Sequence, residues 1–379
     1  MAALSFDPRA LPSPCFVVDE RLMRKNLELL RRVADEAGCR VLLAQKAFSM
    51  FSLYPLIGRY LDGTTASGLN EARLGREYMG KETHVFAPAY PDADMDELLT
   101  ICDHLVFNSF SQLGRFREKA LSSGRRLGIR INPEHSTQSR AIYDPCAPGS
   151  RLGVTADNFK PHELTGISGL HFHTLCEQNA DALCETLDAV EEKFGRYFDR
   201  LEWLNMGGGH HITRPDYDVE ALIRRIRSFR ARYGLTVYLE PGEAVALNAG
   251  FLVATVLDIV HNGLGIAILD TSATCHMPDV IEAPYRPEVI GAGLPGEKPH
   301  TYRLAGLSCL AGDVIGDYAF DRPLEAGDRV IFTDMAIYSM VKTNTFNGVR
   351  LPSIAIAGED GAIRLVRRFG YEDFRDRLS

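Results

Sequence analysis

Through its first two-thirds the chain alternates short apolar, β-branched runs with longer stretches in which apolar residues recur every three or four positions. The first such stretch follows Asp19: Met23, Leu27, Leu30 and Ala34 fall on one helical stripe, and Gly38 ends it. The run Val41-Leu42-Leu43-Ala44 comes next and leads directly into Gln45-Lys46. Seven more runs follow, at Gly63–Ser67, Thr83–Tyr90, His104–Ser109, Leu127–Pro133, Ile167–Thr174, Leu201–Gly209 and Leu235–Ala244. Helical periodicity separates most of them, clearest at Ala180–Phe194 and Val219–Tyr233. Eight strands with crossovers predict an α/β fold, a (β/α)8 barrel over residues 20–250. An open doubly wound sheet is the alternative. The polar and Gly-rich clusters at the C-terminal ends of the runs favour the barrel, which keeps its chemistry there.

From about Gly250 the texture changes. Phe251–Ile259, Ile266–Thr271, Tyr302–Cys309, Arg329–Asp334 and Ser353–Gly358 are short β-type runs parted by Gly, Pro and Asp turns, without long helices between them. They predict a β-rich C-terminal domain over 251–379. Residues 1–19 join it through Pro14–Asp19, so that the domain is discontinuous.

Composition then narrows the class. A length of 379 residues suits a barrel with a smaller companion, and 45% hydrophobic with 24% charged residues is ordinary for a globular chain. A net charge of −8 argues against nucleic acid, which needs a basic face. No apolar run approaches the roughly 20 residues that span a bilayer, so no membrane partner is expected. The eight cysteines are scattered and form no C-x-x-C pair. With no apolar leader at the N-terminus, reduced thiols in the cytoplasm are the expectation.

Several motifs carry candidate chemistry, each with a bland alternative. Lys46 at a strand end is partly desolvated, which lowers its pKa and lets it form an imine, but most single lysines in such loops are surface residues. Gly207-Gly208-Gly209 lets backbone amides approach an anion, or forms a tight turn. Glu240-Pro241-Gly242-Glu243 places acids at the last strand end, where Glu240 can pair with a protonated pyridine nitrogen, or makes a solvated turn. His171-Phe172-His173 puts both imidazoles on one face, where they can ligate zinc, stack on a planar ring or sit satisfied in the interior. His210-His211 adds superficially to the zinc reading, but no further ligand set accompanies it. Alone, Cys309 is a small buried side chain and Tyr338 a packed aromatic.

Taken in order, Lys46, His173, Gly207–Gly209, Glu240-Pro241-Gly242, Cys309 and Asp334…Tyr338…Phe346-Asn347-Gly348 resemble the fold-type III pyridoxal-phosphate (PLP) decarboxylases, the group of ornithine, arginine and diaminopimelate decarboxylases. The resemblance implies an alanine-racemase-like PLP barrel. Lys46 would carry the cofactor and His173 would stack on its ring. Gly207, Gly208, Gly209, Gly242 and Tyr338 would hold its phosphate, and Glu240 would face the pyridine nitrogen. Cys309 would return a proton to the substrate carbon across a homodimer interface, with each site shared by two chains. No metal is implied.

The departures are informative. Glu243 stands where commoner members carry Arg, Leu310 replaces an acid after the cysteine, and Thr174-Leu175-Cys176-Glu177 replaces a Gly-Ser type sequence. Negative charge near a phosphate calls for a cation, which a polyamine supplies. With Cys275-His276-Met277-Pro278-Asp279-Val280-Ile281-Glu282, this set resembles the branch that decarboxylates carboxynorspermidine and carboxyspermidine. There Glu243 and Asp279 would bind the amines of a carboxylated triamine. The alternatives are a sibling basic amino-acid decarboxylase, an alanine-racemase-like enzyme, a zinc-dependent barrel hydrolase and an inactive regulatory homologue.

Overall fold

The computed structural model describes residues 4–138 and 140–379. The chain divides into two compact units, Asn26–Val245 and Met1–Lys25 with Ala246–Ser379. Strand β1 is Cys15–Asp19. Eight parallel strands then close a barrel: β2 (Arg40–Ala44), β3 (Gly63–Ala66), β4 (Glu82–Phe86), β5 (His104–Phe107), β6 (Arg126–Arg130), β7 (Gly169–His171), β8 (Trp203–Asn205) and β9 (Thr236–Leu239). Each of the eight runs read from the sequence holds one of these strands. The crossover before β2, Glu20–Ala37, buries Met23, Leu27, Leu30 and Ala34 to 1% exposure or less. It ends at Gly38, whose φ of +67° a side chain would strain. Helix Val219–Tyr233 starts on the carboxylate of Asp218, which accepts the Ala221 N–H at 2.8 Å, and stops at left-handed Gly234.

Trp203, Tyr238, Leu42 and Val106 fill the barrel interior. A Cβ on Gly169 would lie 2.0 Å from the Trp203 ring, and one on Gly128 2.4 Å from it. These glycines therefore make room for the indole, whose N–H donates to Ser168 Oγ at 3.0 Å.

The second unit is a mixed sheet of β1, β10 (Gly250–Asn262), β11 (Leu264–Leu269), β12 (His300–Ala305), β13 (Val314–Phe320), β14 (Arg329–Thr333), β15 (Ser353–Ala357) and β16 (Ile363–Arg367). Its path runs β13-β12-β11-β10-β1-β15-β16, with β14 also paired to β10. Strand β10 explains why the first half of its run is continuously apolar. Leu252 and Ala254 enter one core and Phe251 and Val253 the other, so both faces are covered until Leu257. The sequence reading missed β13 and β16, and both are edges. Edge strands face water and tolerate polar or small residues, as Gly316-Asp317 and Arg364…Arg367 show.

Candidate active site

Lys46 stands just beyond β2, on backbone tied from several sides. The Ala44 N–H donates to the Pro241 carbonyl at 2.9 Å, and the Gln45 N–H to the Thr65 carbonyl at 3.1 Å. Buried Gln45 also accepts the Tyr54 hydroxyl at 2.9 Å. A Cβ on Gly242 would meet Ala47 Cβ at 2.7 Å, so glycine lets the Glu240-Pro241-Gly242 loop pack against the lysine loop. Lys46 Nζ lies 3.0 Å from His173 Nε2. Protein surrounds the amine on most sides, yet the residue keeps solvent-accessible surface. Burial lowers its pKa and the Arg130 charge adds to that; Glu240, Glu243 and Cys176 oppose without restoring it.

The glycine run serves the barrel itself as much as any anion. The Gly207 N–H donates to Asn205 Oδ1 at 2.9 Å and the Gly208 N–H to His173 Nδ1 at 3.0 Å. Two of the three amides expected to face a phosphate therefore have acceptors inside the protein. The Gly209 and Gly242 amides have none among the described residues. The loop needs glycine on contact grounds too: a Cβ on Gly208 would sit 2.0 Å from the Glu240 carbonyl oxygen, and one on Gly209 1.8 Å from that of Leu175.

Glu240 is buried at the end of β9. Its Oε1 accepts from Asn205 Nδ2 at 2.6 Å and its Oε2 lies 3.2 Å from His171 Nε2. Burial pushes its pKa up, but His171 and the Asn205 amide outweigh that and hold it at about 2. His171 itself is lowered, by burial first, so the neutral imidazole acts as an N–H donor. The two histidines of His171-Phe172-His173 thus both point inward, with different partners. Arg130, ending β6, donates through Nη2 to the His173 carbonyl at 2.8 Å and is 4% exposed. The sequence reading passed over it, although a charge closing the apolar run Leu127–Arg130 was the available signal.

Glu243 is ion-paired rather than open, with Oε2 2.7 Å from His211 Nε2. Burial lowers His211, but the hydrogen bond and charge of Glu243, with Glu177, reverse this and leave its pKa raised. Arg214 opposes, and neighbouring His210 bonds the Tyr217 hydroxyl at 2.8 Å. The cation called for beside Glu243 is therefore supplied in part by the protein. These residues are 32 positions apart, and no local pattern announces the pair.

The barrel thus brings together Lys46, His173, Gly207, Gly208, Gly209, Glu240, Gly242 and Glu243. Asp279, Cys309 and Tyr338 belong to the other unit. There, Asp279 is bridged to Glu282 by Lys342, a partner the sequence reading did not name. Cys309 is exposed rather than the buried small side chain it would be alone, and its N–H donates to Asn347 Oδ1 at 2.8 Å. Asp334, Tyr338 and Asn347 all hold positive φ, of 54°, 56° and 56°, a concentration of backbone strain typical of functional segments.

For the zinc reading, the flagged histidines are engaged with Glu240, Lys46, Gly208, Glu243 and Tyr217. Among the described residues, the grouping with metal-ligand spacing is Glu82, His84 and His104, at the opposite, N-terminal end of the barrel. The two rings stack at 3.9 Å and 10°, so one ion cannot lie in both ring planes. Glu82 already accepts from Tyr238 at 2.9 Å and from Arg40 at 2.6 Å. His84 Nε2 lies 3.1 Å from Glu82 Oε1, so Glu82 is already engaged on several sides at this barrel floor.

Residues 15–336 match the family described as pyridoxal-dependent decarboxylase, C-terminal sheet domain. A carboxynorspermidine/carboxyspermidine decarboxylase of Campylobacter jejuni is 44% identical over 375 residues, 96% of this chain and 98% of the relative. A carboxyaminopropylagmatine decarboxylase of Synechocystis is 47% identical, over 97% of this chain and 96% of the relative. The crystal structure of the Campylobacter jejuni carboxynorspermidine decarboxylase complexed with norspermidine superposes with a TM-score of 0.91 at 42% identity, over 97% of this chain and 100% of that one.

Proposed function

The chain belongs to the pyridoxal-dependent decarboxylases, and from that membership we propose that it removes CO2 from the carboxylated triamines carboxynorspermidine and carboxyspermidine. The products are norspermidine and spermidine, which places the enzyme in polyamine biosynthesis. The observation that carries this reading is Glu243, a carboxylate held by His211 near Lys46, where commoner members carry an arginine. A carboxylate at that place suits an ammonium group. The named substrates of the Campylobacter relative support it. A second reading follows from the Synechocystis relative: a substrate whose far end is a guanidinium.

The family's cofactor is pyridoxal 5′-phosphate. The barrel fits it in three respects: an accessible amine at Lys46, an ionised buried carboxylate at Glu240, and amides at Gly209 and Gly242 without acceptors among the described residues. Bound PLP supplies an electron sink for the pair released when the carboxylate carbon leaves. Lys46 would hold the cofactor through Nζ. Glu240 would pair with the pyridine nitrogen, His173 would lie against the ring, and Gly209, Gly242 and Tyr338 would hold the phosphate. Gly207 and Gly208 give that loop its close approach. Glu243 and Asp279 bind the substrate's amines. Cys309 would supply a thiol proton to the substrate carbon. We further propose a homodimer that shares its sites. The exposed Leu307, Leu310 and Phe346 beside Cys309 form a surface suited to a second copy. No helix among the described residues is long and apolar enough to cross a membrane. Free thiols at all eight cysteines support the cytoplasm as its compartment.

A CO2-release panel on the PLP-loaded chain tests the substrate. Carboxynorspermidine and carboxyspermidine are expected to exceed diaminopimelate, ornithine and arginine in kcat/KM by about 100-fold, and a basic amino acid in first place sinks the reading. Carboxyaminopropylagmatine in the same panel separates the second reading. Glu243→Gln is expected to raise KM for the triamines about 10–100-fold with a smaller change in kcat, the scale of one charged hydrogen bond. The native pair also sets a pH dependence. Because His211 is raised when folded, its stabilisation is complete below about pH 6.5 and is lost as pH climbs through the folded value. Substrate capture runs the other way: above that value the neutral imidazole releases Glu243 to an ammonium, so kcat/KM rises. His211→Gln is expected to remove that inflection.

A further inference from the structure

The bonds around His173 specify its protonation as well as its place. Its Nδ1 accepts the Gly208 N–H at 3.0 Å, so Nδ1 carries no proton. An imidazolium is excluded, because two N–H groups would then face each other. The ring's single proton is therefore on Nε2, and Nε2 points at Lys46 Nζ from 3.0 Å. An N–H needs an acceptor, and an ammonium has no lone pair to offer; only a neutral amine does.

We propose that Gly208 and His173 form a relay that holds Lys46 as a free amine before any cofactor arrives. Each link is fixed from outside. The Arg130 guanidinium anchors the His173 carbonyl at 2.8 Å, and Gly208 cannot gain a side chain without striking the Glu240 carbonyl. The charged and titratable groups facing Lys46 come from four places: Arg130 from β6, His173 and Cys176 after β7, Glu240 after β9, and Glu243 beyond it. Burial and Arg130 act in the same direction as the relay, while the acids oppose it. The consequence is chemical. Condensation of an amine with an aldehyde forms the C=N bond by lone-pair attack and expels the aldehyde oxygen as water, with both amine protons. A lysine kept unprotonated at neutral pH captures an aldehyde cofactor without first losing a proton to solvent. His173 is on this account a positioning residue for cofactor capture.

The inference rests on Lys46 as the cofactor lysine only for that consequence; the relay itself is tested on the full chain stripped of cofactor. Competitive trace acetylation against pH, read peptide by peptide, gives the titration of each lysine. Lys46 is expected to titrate below the surface lysines and to be acetylated faster than they are at pH 7. In His173→Gln the amide oxygen accepts from an ammonium, and the Lys46 titration is expected to move up towards that of the surface lysines, with slower acetylation at pH 7. Nitrogen NMR shifts of His173 in the unsubstituted chain are expected to report the Nε2–H tautomer. An ordinary titration of Lys46, an unmoved titration in His173→Gln, or an Nδ1–H ring each overturns the relay. Adding PLP afterwards separates the two claims. A low-titrating Lys46 that never links to the cofactor defeats the cofactor reading alone; an ordinary one that does link defeats the relay alone.

Discussion

Lys46→Ala is expected to lower turnover on the order of 10³-fold or more, because on the proposed reading the substitution removes the amine that holds the aldehyde cofactor covalently. The variant should fold. Lys46 donates no hydrogen bond that the β2 end needs, since Ala44 and Gln45 make those through their own backbone. Truncation also deletes an amine whose charging burial already disfavours. The direct readout is the absorbance of lysine-linked cofactor, present in the native chain and absent in the variant. Borohydride reduction followed by peptide mass spectrometry should then place the cofactor on Lys46. Label on another lysine, or an unchanged spectrum in the variant, would remove Lys46 from its role. Lys46→Arg should be equally inactive, since a guanidinium keeps positive charge but does not form the imine.

Glu240→Gln is expected to lower kcat on the order of 10²–10³-fold, the scale on which a preorganised electrostatic group acts. The structure makes this a clean substitution. An amide oxygen in place of Oε1 still accepts from Asn205, and an amide N–H in place of Oε2 turns His171 into an acceptor. His171 must then carry its proton on Nδ1, which is buried without a partner, at a stability cost of about 1–3 kcal/mol. What is lost is the negative charge that would hold a proton on a pyridine nitrogen. KM for substrate should move little, and the lysine-linked absorbance should persist. An unaltered kcat in a folded, PLP-loaded Glu240→Gln would show that Glu240 does not perform this role.

The fold was legible where two faces of an element are treated differently by the core. Met23, Leu27, Leu30 and Ala34 mark a buried stripe because a helix repeats every 3.6 residues, and the barrel runs are apolar because helices and interior cover both of their sides. Legibility failed at β13 and β16, where an edge exposed to water tolerates Gly316, Asp317 and arginines. Lys46, Glu240 and the glycine run were readable as candidates because they close strands, where a barrel of this kind keeps its chemistry, and the order of motifs along the chain supplied the rest.

The sequence by itself determined the elements of the barrel, their order, and which side chains close its strands. Only the tertiary structure decided who partners whom. His211 meets Glu243 across 32 residues, His173 meets Lys46 across 127, and Lys342 bridges Asp279 and Glu282 across 63 and 60. Gly207 and Gly208 turned from presumed anion donors into donors to Asn205 and His173. The physical reason is one of range. Periodicity and turn chemistry are local, and they are written into every stretch of chain. A hydrogen bond or an ion pair depends on where a closed barrel places two strand ends, and that closure involves all eight strands at once.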